Sequence, residues 1–330
     1  MTARKGSFLL EHARKFVITD YGFPSLAIER KVIEGAGGEL AAFQCKTEEE
    51  VINAAKGANV LIVQWAPITR AVIRSLSECK VIVRYGIGTD NVDLEAARDH
   101  GIPVCNVPDY CIDEVADHTF ALAMSLARQL PMIDQAVRQC VWKTVPPRPM
   151  LASRQMTFVT IGYGRIARAV LERARASKLQ LAACDPYLSA GSPVADGVQI
   201  MNIEETFRSG DIISLHLPLT KNSHHLVGAD AFNKMKATAI LINTSRGGLI
   251  DTVALADALQ RGKIAGAALD VFEQEPLPKD HPLRNSPNAL FTSHVAWYSE
   301  LSVPELQRMA AEEAVRAVKG EAPQNPVVPI

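Results

Sequence analysis

Short apolar, β-branched runs alternate with amphipathic, alanine-rich stretches along almost the whole chain. "KFVITD", "ELAAFQ", "NVLIVQ", "KVIVRYG" and "IPVCNV" come first. Runs that are apolar at every position, rather than at alternate ones, predict strands buried on both faces, as in parallel sheets covered by helices. The rhythm then breaks. Residues 112 to 130, "IDEVADHTFALAMSLARQL", predict one long helix that opens on acidic residues and is stopped by Pro131. A Pro-dense loop follows at 145 to 149. A second series of runs comes next: "MTFVTIG", "LQLAACD", "VQIMNI", "DIISLHLP", "AILINTS", "IAGAALDV" and "ALFTSH". Strands separated by helices in this order predict a doubly wound, Rossmann-type sheet.

The fold class expected is therefore α/β, with two doubly wound parallel-sheet domains. A last helix, about 302 to 319, lies beyond the second series and is expected to return to the first domain. That makes the first domain discontinuous, residues 1 to 110 with 300 to 330, around an inserted domain of 111 to 299. The crossings near 108 to 111 and 296 to 301 would be the hinge. A length of 330 residues suits two cores of ordinary size.

Composition narrows the partner. Hydrophobic residues make up 48% and charged residues 22%, with a formal net charge of −1 and scattered basic residues. No basic footprint for nucleic acid or an anionic membrane is visible, so a small-molecule partner is expected. The N-terminal stretch has no sustained apolar run before a small-residue cleavage site, and no later run reaches membrane-spanning length, so a soluble, cytoplasmic protein is expected. Six cysteines fall at irregular spacings with no CxxC pair, which argues against a zinc site and a disulfide framework; no metal is expected.

The chemistry starts at "FVTIGYGRIAR". Gly162 and Gly164 stand after an apolar strand and before a helix, where one glycine makes a tight turn and the next lets a pyrophosphate approach the helix N-terminus. Ala167 occupies the third glycine position. Asp185, 21 residues past Gly164, ends the next strand, where a carboxylate binds both ribose hydroxyls and repels a 2′-phosphate. NAD is expected rather than NADP.

Arg246, Glu275 and His294 each follow a different strand of the second series, so a parallel sheet would gather them at one edge. Ketone reduction by hydride needs a cation for the acid group and carbonyl, a proton donor, and a partner for that donor. Arg246 forks two hydrogen bonds to a carboxylate. His294 offers an imidazole, the side chain suited to give a proton in reduction and take it in oxidation, and a carboxylate at Glu275 favours the charged ring. The anion that Arg246 meets is then the carboxylate of a 2-oxo or 2-hydroxy acid.

"GYGRIA", "CDPYLS", "SLHLPLT", "NTSRGGLID", "GAALDVFEQEP" and "HVAWYSE" occur in the order that resembles the D-isomer-specific 2-hydroxyacid dehydrogenase family, from about residue 58 onward. "NSHHL" (222 to 226) and "HVAWYSE" (294 to 300) look most like its C-terminal-binding-protein branch. The resemblance implies a Rossmann NAD-binding domain inserted in a flavodoxin-like substrate domain, and NAD-dependent hydride transfer by the set Arg246, Glu275 and His294. It places a substrate-carboxylate loop at 84 to 93, where Arg84 and the amides of Ile87 and Gly88 would face the acid across an interdomain cleft. It adds cofactor contacts at Tyr163, Arg165, Ile166, His216, Thr244 and Asp270, and a pocket-lining role for Trp297 that favours an apolar substrate side chain. The helix 112 to 130 resembles a dimerisation helix, which implies a homodimer. Two other readings stand beside this one. An NAD-responsive dimeric scaffold is disfavoured by the lack of a long Pro- and Ser-rich tail. A phosphoglycerate dehydrogenase is disfavoured because no regulatory domain and no basic cluster beyond Arg84 is found.

Overall fold

The computed structural model describes residues 14 to 328, apart from Pro147, Pro193, Ala195 and Asp196. Most of the N-terminal stretch read above for targeting, and one proline of the loop at 145 to 149, therefore lie outside the described residues. The chain divides into two compact units, Met1–Cys111 with Ser299–Ile330, and Ile112–Tyr298.

The first unit begins with β1 (Arg14–Ile18), α1 (Ala27–Gly35), β2 (Gly38–Ala42), α2 (Glu48–Ala54), β3 (Val60–Val63), α3 (Arg70–Ser75), β4 (Val81–Arg84), α4 (Leu94–Asp99) and β5 (Val104–Cys105). All five expected strands form, pair in parallel, and bury residues such as Val17, Leu61 and Ile82 in one core. Caps fix the helix starts. Thr47 accepts from Glu50 N–H while Glu50 returns a bond to the Thr47 N–H, and Asp93 accepts from Ala96 N–H.

The second unit runs through α5 (Ile112–Ala127), α6 (Leu130–Arg138), β6 (Thr157–Ile161), α7 (Arg165–Ala176), β7 (Gln180–Cys184), β8 (Gln199–Ile200), α8 (Ile203–Ser209), β9 (Ile212–Leu215), α9 (Ala229–Lys234), β10 (Ile240–Asn243), α10 (Thr252–Gln260), β11 (Gly266–Leu269) and β12 (Ala289–Phe291). Its sheet has the order β12-β11-β10-β9-β6-β7-β8, all parallel, and contains the seven expected strands. Alternate residues feed two cores: Ile240 and Ile242 pack on the α5 and α7 side, while Leu241 packs with α9 and α10 on the other.

The chain then returns to the first unit as α11 (Ser302–Val318) and β13 (Pro326–Val328), which pairs antiparallel with β5 and completes the order β13-β5-β4-β3-β1-β2. Gln307 of α11 ties this return to α1, its amide donating to both carboxylate oxygens of the buried Glu29.

One expected element differs. The helix starting at 112 stops at Ala127, not at Pro131, because Gln129 turns left-handed at φ 54°. Pro131 instead lies in the first turn of α6, where a proline costs no intrahelical hydrogen bond.

Candidate functional site

The glycine turn after β6 is shaped by backbone close to backbone. Gly162 has φ +102° and donates its N–H to Cys184 O at 2.7 Å. A Cβ on it would lie 2.1 Å from His216 O. Gly164 caps α7 without a side-chain bond, and a Cβ there would meet nothing within 4 Å. The space beside the N-terminus of this 12-residue helix is thus open, as an approaching anionic diphosphate requires. Ala167 is fully buried.

Asp185 sits beside this turn, and the turn is built on it. Its Oδ2 accepts from Tyr163 N–H and its Oδ1 from Tyr187 N–H, both at 2.9 Å. Carboxylate oxygens have further acceptor capacity, so ribose hydroxyls fit here. The residues present match a dinucleotide. His216 contributes backbone: its N–H donates to Ile161 O, while its Nε2 contacts Ser214 Oγ at 2.8 Å. Enclosure pushes its pKa down to about 3, so it is a neutral structural imidazole. Thr244, just past β10, meets Thr119 of α5 hydroxyl to hydroxyl at 2.7 Å.

Arg246 follows at the tip of the same strand. Asn243 holds the tip, accepting from Ser245 N–H and donating to Arg246 O. A Cβ on Gly247 would overlap the backbone of Phe272 and Glu273, so the Arg246 segment lies directly on the segment that leads to Glu275.

Glu275 and His294 meet: Nδ1 of the histidine is 2.8 Å from Oε2 of the glutamate. The other oxygen, Oε1, accepts from Phe272 N–H at 3.0 Å. Burial pushes the Glu275 carboxyl up, but the His294 bond and charge and the Phe272 amide outweigh it, and the net is below the ordinary carboxylate value. Glu275 stays ionised near neutrality.

His294 itself is in the left-handed region, at φ +58°, which few residues without special support adopt. The support is Asp270, only 1% exposed. Its carbonyl accepts from His294 N–H, its Oδ1 from Val295 N–H and Thr292 Oγ1, and its Oδ2 from Ala296 N–H. Trp297 donates its indole N–H back to His294 O at 2.9 Å. Sequence reasoning assigned Asp270 to the cofactor and overlooked this clamp. It also overlooked His118, on the inward stripe of α5, whose Nε2 reaches Thr292 Oγ1 at 3.0 Å.

Arg84, Ile87 and Gly88 belong to the first unit. There Gly86 has φ +121°, and a Cβ on it would strike the guanidinium of Arg84. Tyr85 is buried and donates to Glu29, Val107 N–H holds Gly86 O, and the Asn106 amide holds Ile87 O. The loop is thereby fixed in place, with Tyr85 and Gly86 buried and Ile87 and Gly88 half-buried.

Residues 120 to 296 match the family model described as the NAD-binding domain of D-isomer-specific 2-hydroxyacid dehydrogenases. The chain is 37% identical over 302 residues to a D-3-phosphoglycerate dehydrogenase of Methanocaldococcus jannaschii, covering 90% of this chain and 56% of that one, so it spans about half the length of that relative. It is 36% identical over 262 residues to a glyoxylate reductase of Korarchaeum cryptofilum, covering 78% of this chain and 79% of that one. Among solved structures, a D-lactate dehydrogenase of Aquifex aeolicus, complexed with NAD and lactic acid, matches with a TM-score of 0.86 at 26% identity, over 96% of this chain and 99% of that one.

Proposed function

Because the chain belongs to the D-isomer-specific 2-hydroxyacid dehydrogenase family, NAD-dependent oxidoreductases of 2-hydroxy acids, we propose that it interconverts a small 2-oxo acid and its 2-hydroxy acid. The observation that carries this reading is the contact of His294 Nδ1 with Glu275 Oε2. With Nδ1 committed to the carboxylate, Nε2 is the nitrogen that exchanges a proton with substrate oxygen. Glu275 keeps the imidazole oriented and stabilises its charged form.

NADH, when bound, supplies the hydride that becomes the new C–H bond at the carbonyl carbon. The turn Gly162, Tyr163, Gly164, Arg165 and Ile166 holds the diphosphate at the α7 N-terminus. Asp185 takes the ribose hydroxyls and disfavours a 2′-phosphate. Thr244 and the His216 backbone flank the cofactor, and Oδ2 of Asp270, with a single backbone donor, has capacity left for a carboxamide N–H. Arg246 pairs with the substrate carboxylate and polarises the adjacent carbonyl. His294 Nε2 delivers the proton to the carbonyl oxygen in reduction and takes it back in oxidation. Arg84 and the amides of Ile87 and Gly88 are assigned to the substrate carboxylate on the strength of the family motif. Trp297, its indole N–H already spent on His294 O, offers a substrate only a ring face, which favours an apolar side chain.

A homodimer is part of the proposal. The inward face of α5 packs on its own unit through Ala116 and Leu122, so any contact by this helix with a second copy uses its other face, together with α6. α6 buries none of its residues, and it exposes Leu130 and Val137 ahead of exposed Val141, Trp142 and Val145. A run of that kind is stable in water when a second copy covers it.

The test is NADH oxidation by the purified protein against glyoxylate, pyruvate, hydroxypyruvate, phenylpyruvate and 4-methylthio-2-oxobutyrate, with NADPH as control. NADH-dependent turnover that rises with apolar side chain supports the reading. Tight NADH binding with no turnover of any acid overturns it in favour of an NAD-responsive scaffold, and preference for a phosphorylated hydroxy acid would favour phosphoglycerate dehydrogenase.

A further inference from the structure

Next to the segment that carries Arg246, and two residues before Glu275, a second group of side chains converges. His224 and His225 lie in the segment between β9 and α9, and Glu273 lies just past β11. One ligand atom from each, a ring nitrogen from both histidines and a carboxylate oxygen, lie within 4.8 Å of one another, and all three residues reach solvent. His225 Nε2 is 2.5 Å from Glu273 Oε1, and the two imidazoles stack at 3.9 Å between centroids.

The backbone that carries them is pinned. His225 N–H donates to Gly248 O, Val227 N–H donates to Leu249 O, and Val227 bridges Ile250 in parallel. On the other side, Gly247 permits the close approach of the Phe272 and Glu273 backbone. The segment 247 to 252 therefore clamps both ligand-bearing segments at a fixed separation. Glu273 is also oriented at the side-chain level. Its Oε2 accepts from Thr252 N–H at 3.0 Å and makes a short bond with the Thr252 hydroxyl, which also lies 3.2 Å from His281 Nε2. Only Oε1 is left to face the histidines. Outer partners that fix which atom of a carboxylate is presented are typical of metal ligands.

We propose that His224, His225 and Glu273 form a binding site for a divalent transition metal of the zinc class, with a further coordination position open to solvent. Two imidazoles and one carboxylate suit zinc or nickel, whereas magnesium and calcium take oxygen ligands. Bonds of about 2.0 to 2.2 Å in a tetrahedron place neighbouring ligand atoms roughly 3.3 Å apart. The His225–Glu273 pair must open by less than about an ångström and His224 must close in, both within reach of side-chain rotation. The proton now shared between His225 Nε2 and Glu273 Oε1 is released as the cation replaces it. The proposed ligands include none of Arg246, Glu275 and His294, and the test does not use turnover.

The experiment is isothermal titration of zinc chloride alone into untagged, chelator-stripped full-length protein. Cys140 is exposed and competes for zinc, so the measurement is made in a Cys140→Ser background, with magnesium chloride as the comparison. One zinc per chain, no response to magnesium, and affinity at least tenfold weaker in both His224→Ala and Glu273→Gln are expected. Glu273→Gln also loosens the clamp; His224→Ala leaves the His225–Glu273 bond in place, and thermal melting checks that each variant is folded. Absence of stoichiometric zinc binding, or binding of unchanged affinity in folded His224→Ala, overturns the site and leaves the pair as a hydrogen bond joining two segments.

Discussion

Replacing each glycine of the turn by alanine separates what the fold requires from what the cofactor requires. In Gly162→Ala the new methyl carbon would lie 2.1 Å from His216 O, about 1.4 Å inside an optimal contact distance of roughly 3.5 Å. The obstacle is backbone just past the end of β9, held by the His216 N–H bond to Ile161 O, so it does not swing away. The φ of +102° adds a conformational penalty of about 1–3 kcal/mol for any L-residue. Overpacking adds about 1–3 kcal/mol more. We expect Gly162→Ala to lose about 2–6 kcal/mol of stability and to bind NADH at least tenfold more weakly. Gly164→Ala is the contrast. Its φ of −74° is ordinary and its Cβ would meet no atom of the protein within 4 Å. The cost to the fold is only that of a poorer helix cap, about 0.5–1 kcal/mol. Yet the methyl would stand in the space through which a diphosphate reaches the α7 amides, so NADH affinity falls as it does in Gly162→Ala. Urea denaturation and NADH fluorescence titration of both variants read the two effects separately. Gly162→Ala with wild-type stability, or Gly164→Ala with wild-type NADH affinity, would refute the reasoning.

His294→Ala should abolish 2-oxo acid reduction while NADH still binds, and Asp185→Ala should weaken NADH binding; equal loss of binding in both would count against the roles assigned. The His216 pKa of about 3 lies below the ordinary 6.5, so the unfolded chain takes up the proton first. Its contribution to stability is complete above pH 6.5 and is lost as pH falls toward 3, at no more than about 1.4 kcal/mol per pH unit and less because the residue is only half-buried. The stability of His216→Gln, measured by urea from pH 7 to pH 4, should fall less steeply than wild type, and parallel slopes would remove the imidazole as the cause. Trp142, 80% exposed, should be covered in a dimer, so that Val137→Asp with Trp142→Asp turns a dimer into a monomer by light scattering; a wild-type monomer would contradict the assignment.

The strands were legible because a buried parallel strand writes itself as an unbroken apolar run, and every such run in the second unit became a strand. β13 was not. "NPVV" is short, carries a proline and pairs along one edge only, so nothing in it separates an edge strand from a tail. The break between α5 and α6 was misplaced for a related reason. Proline is the conspicuous helix breaker, but the turn is made by Gln129, a residue with no marked preference for the left-handed region. The nearness of Glu275 to His294 followed from their positions past adjacent strands, β11 and β12. The convergence of His224 and His225 with Glu273 did not, since it depends on how three connecting segments pack, although the adjacent histidines were a visible signal.

The clamp on His294 shows why a strand end is a suitable place for this chemistry. A histidine continuing β12 in extended conformation would keep its side chain on the alternation of the sheet. A left-handed turn at His294 breaks that alternation, and the strain of about 1–3 kcal/mol must be met nearby. Asp270 meets it from just past β11, the adjacent strand, with its carbonyl on His294 N–H and its carboxylate on the next two amides. Removing that carboxylate would leave the buried Ala296 N–H unpaired, at about 1–3 kcal/mol. The imidazole is thus aimed by the backbone and held by Glu275. Thr292, between Asp270 and His118, extends the same support to α5. The position of the proposed proton donor is therefore set by the core of the second unit rather than by a surface loop, as a group that must stay in register with a reacting carbonyl requires.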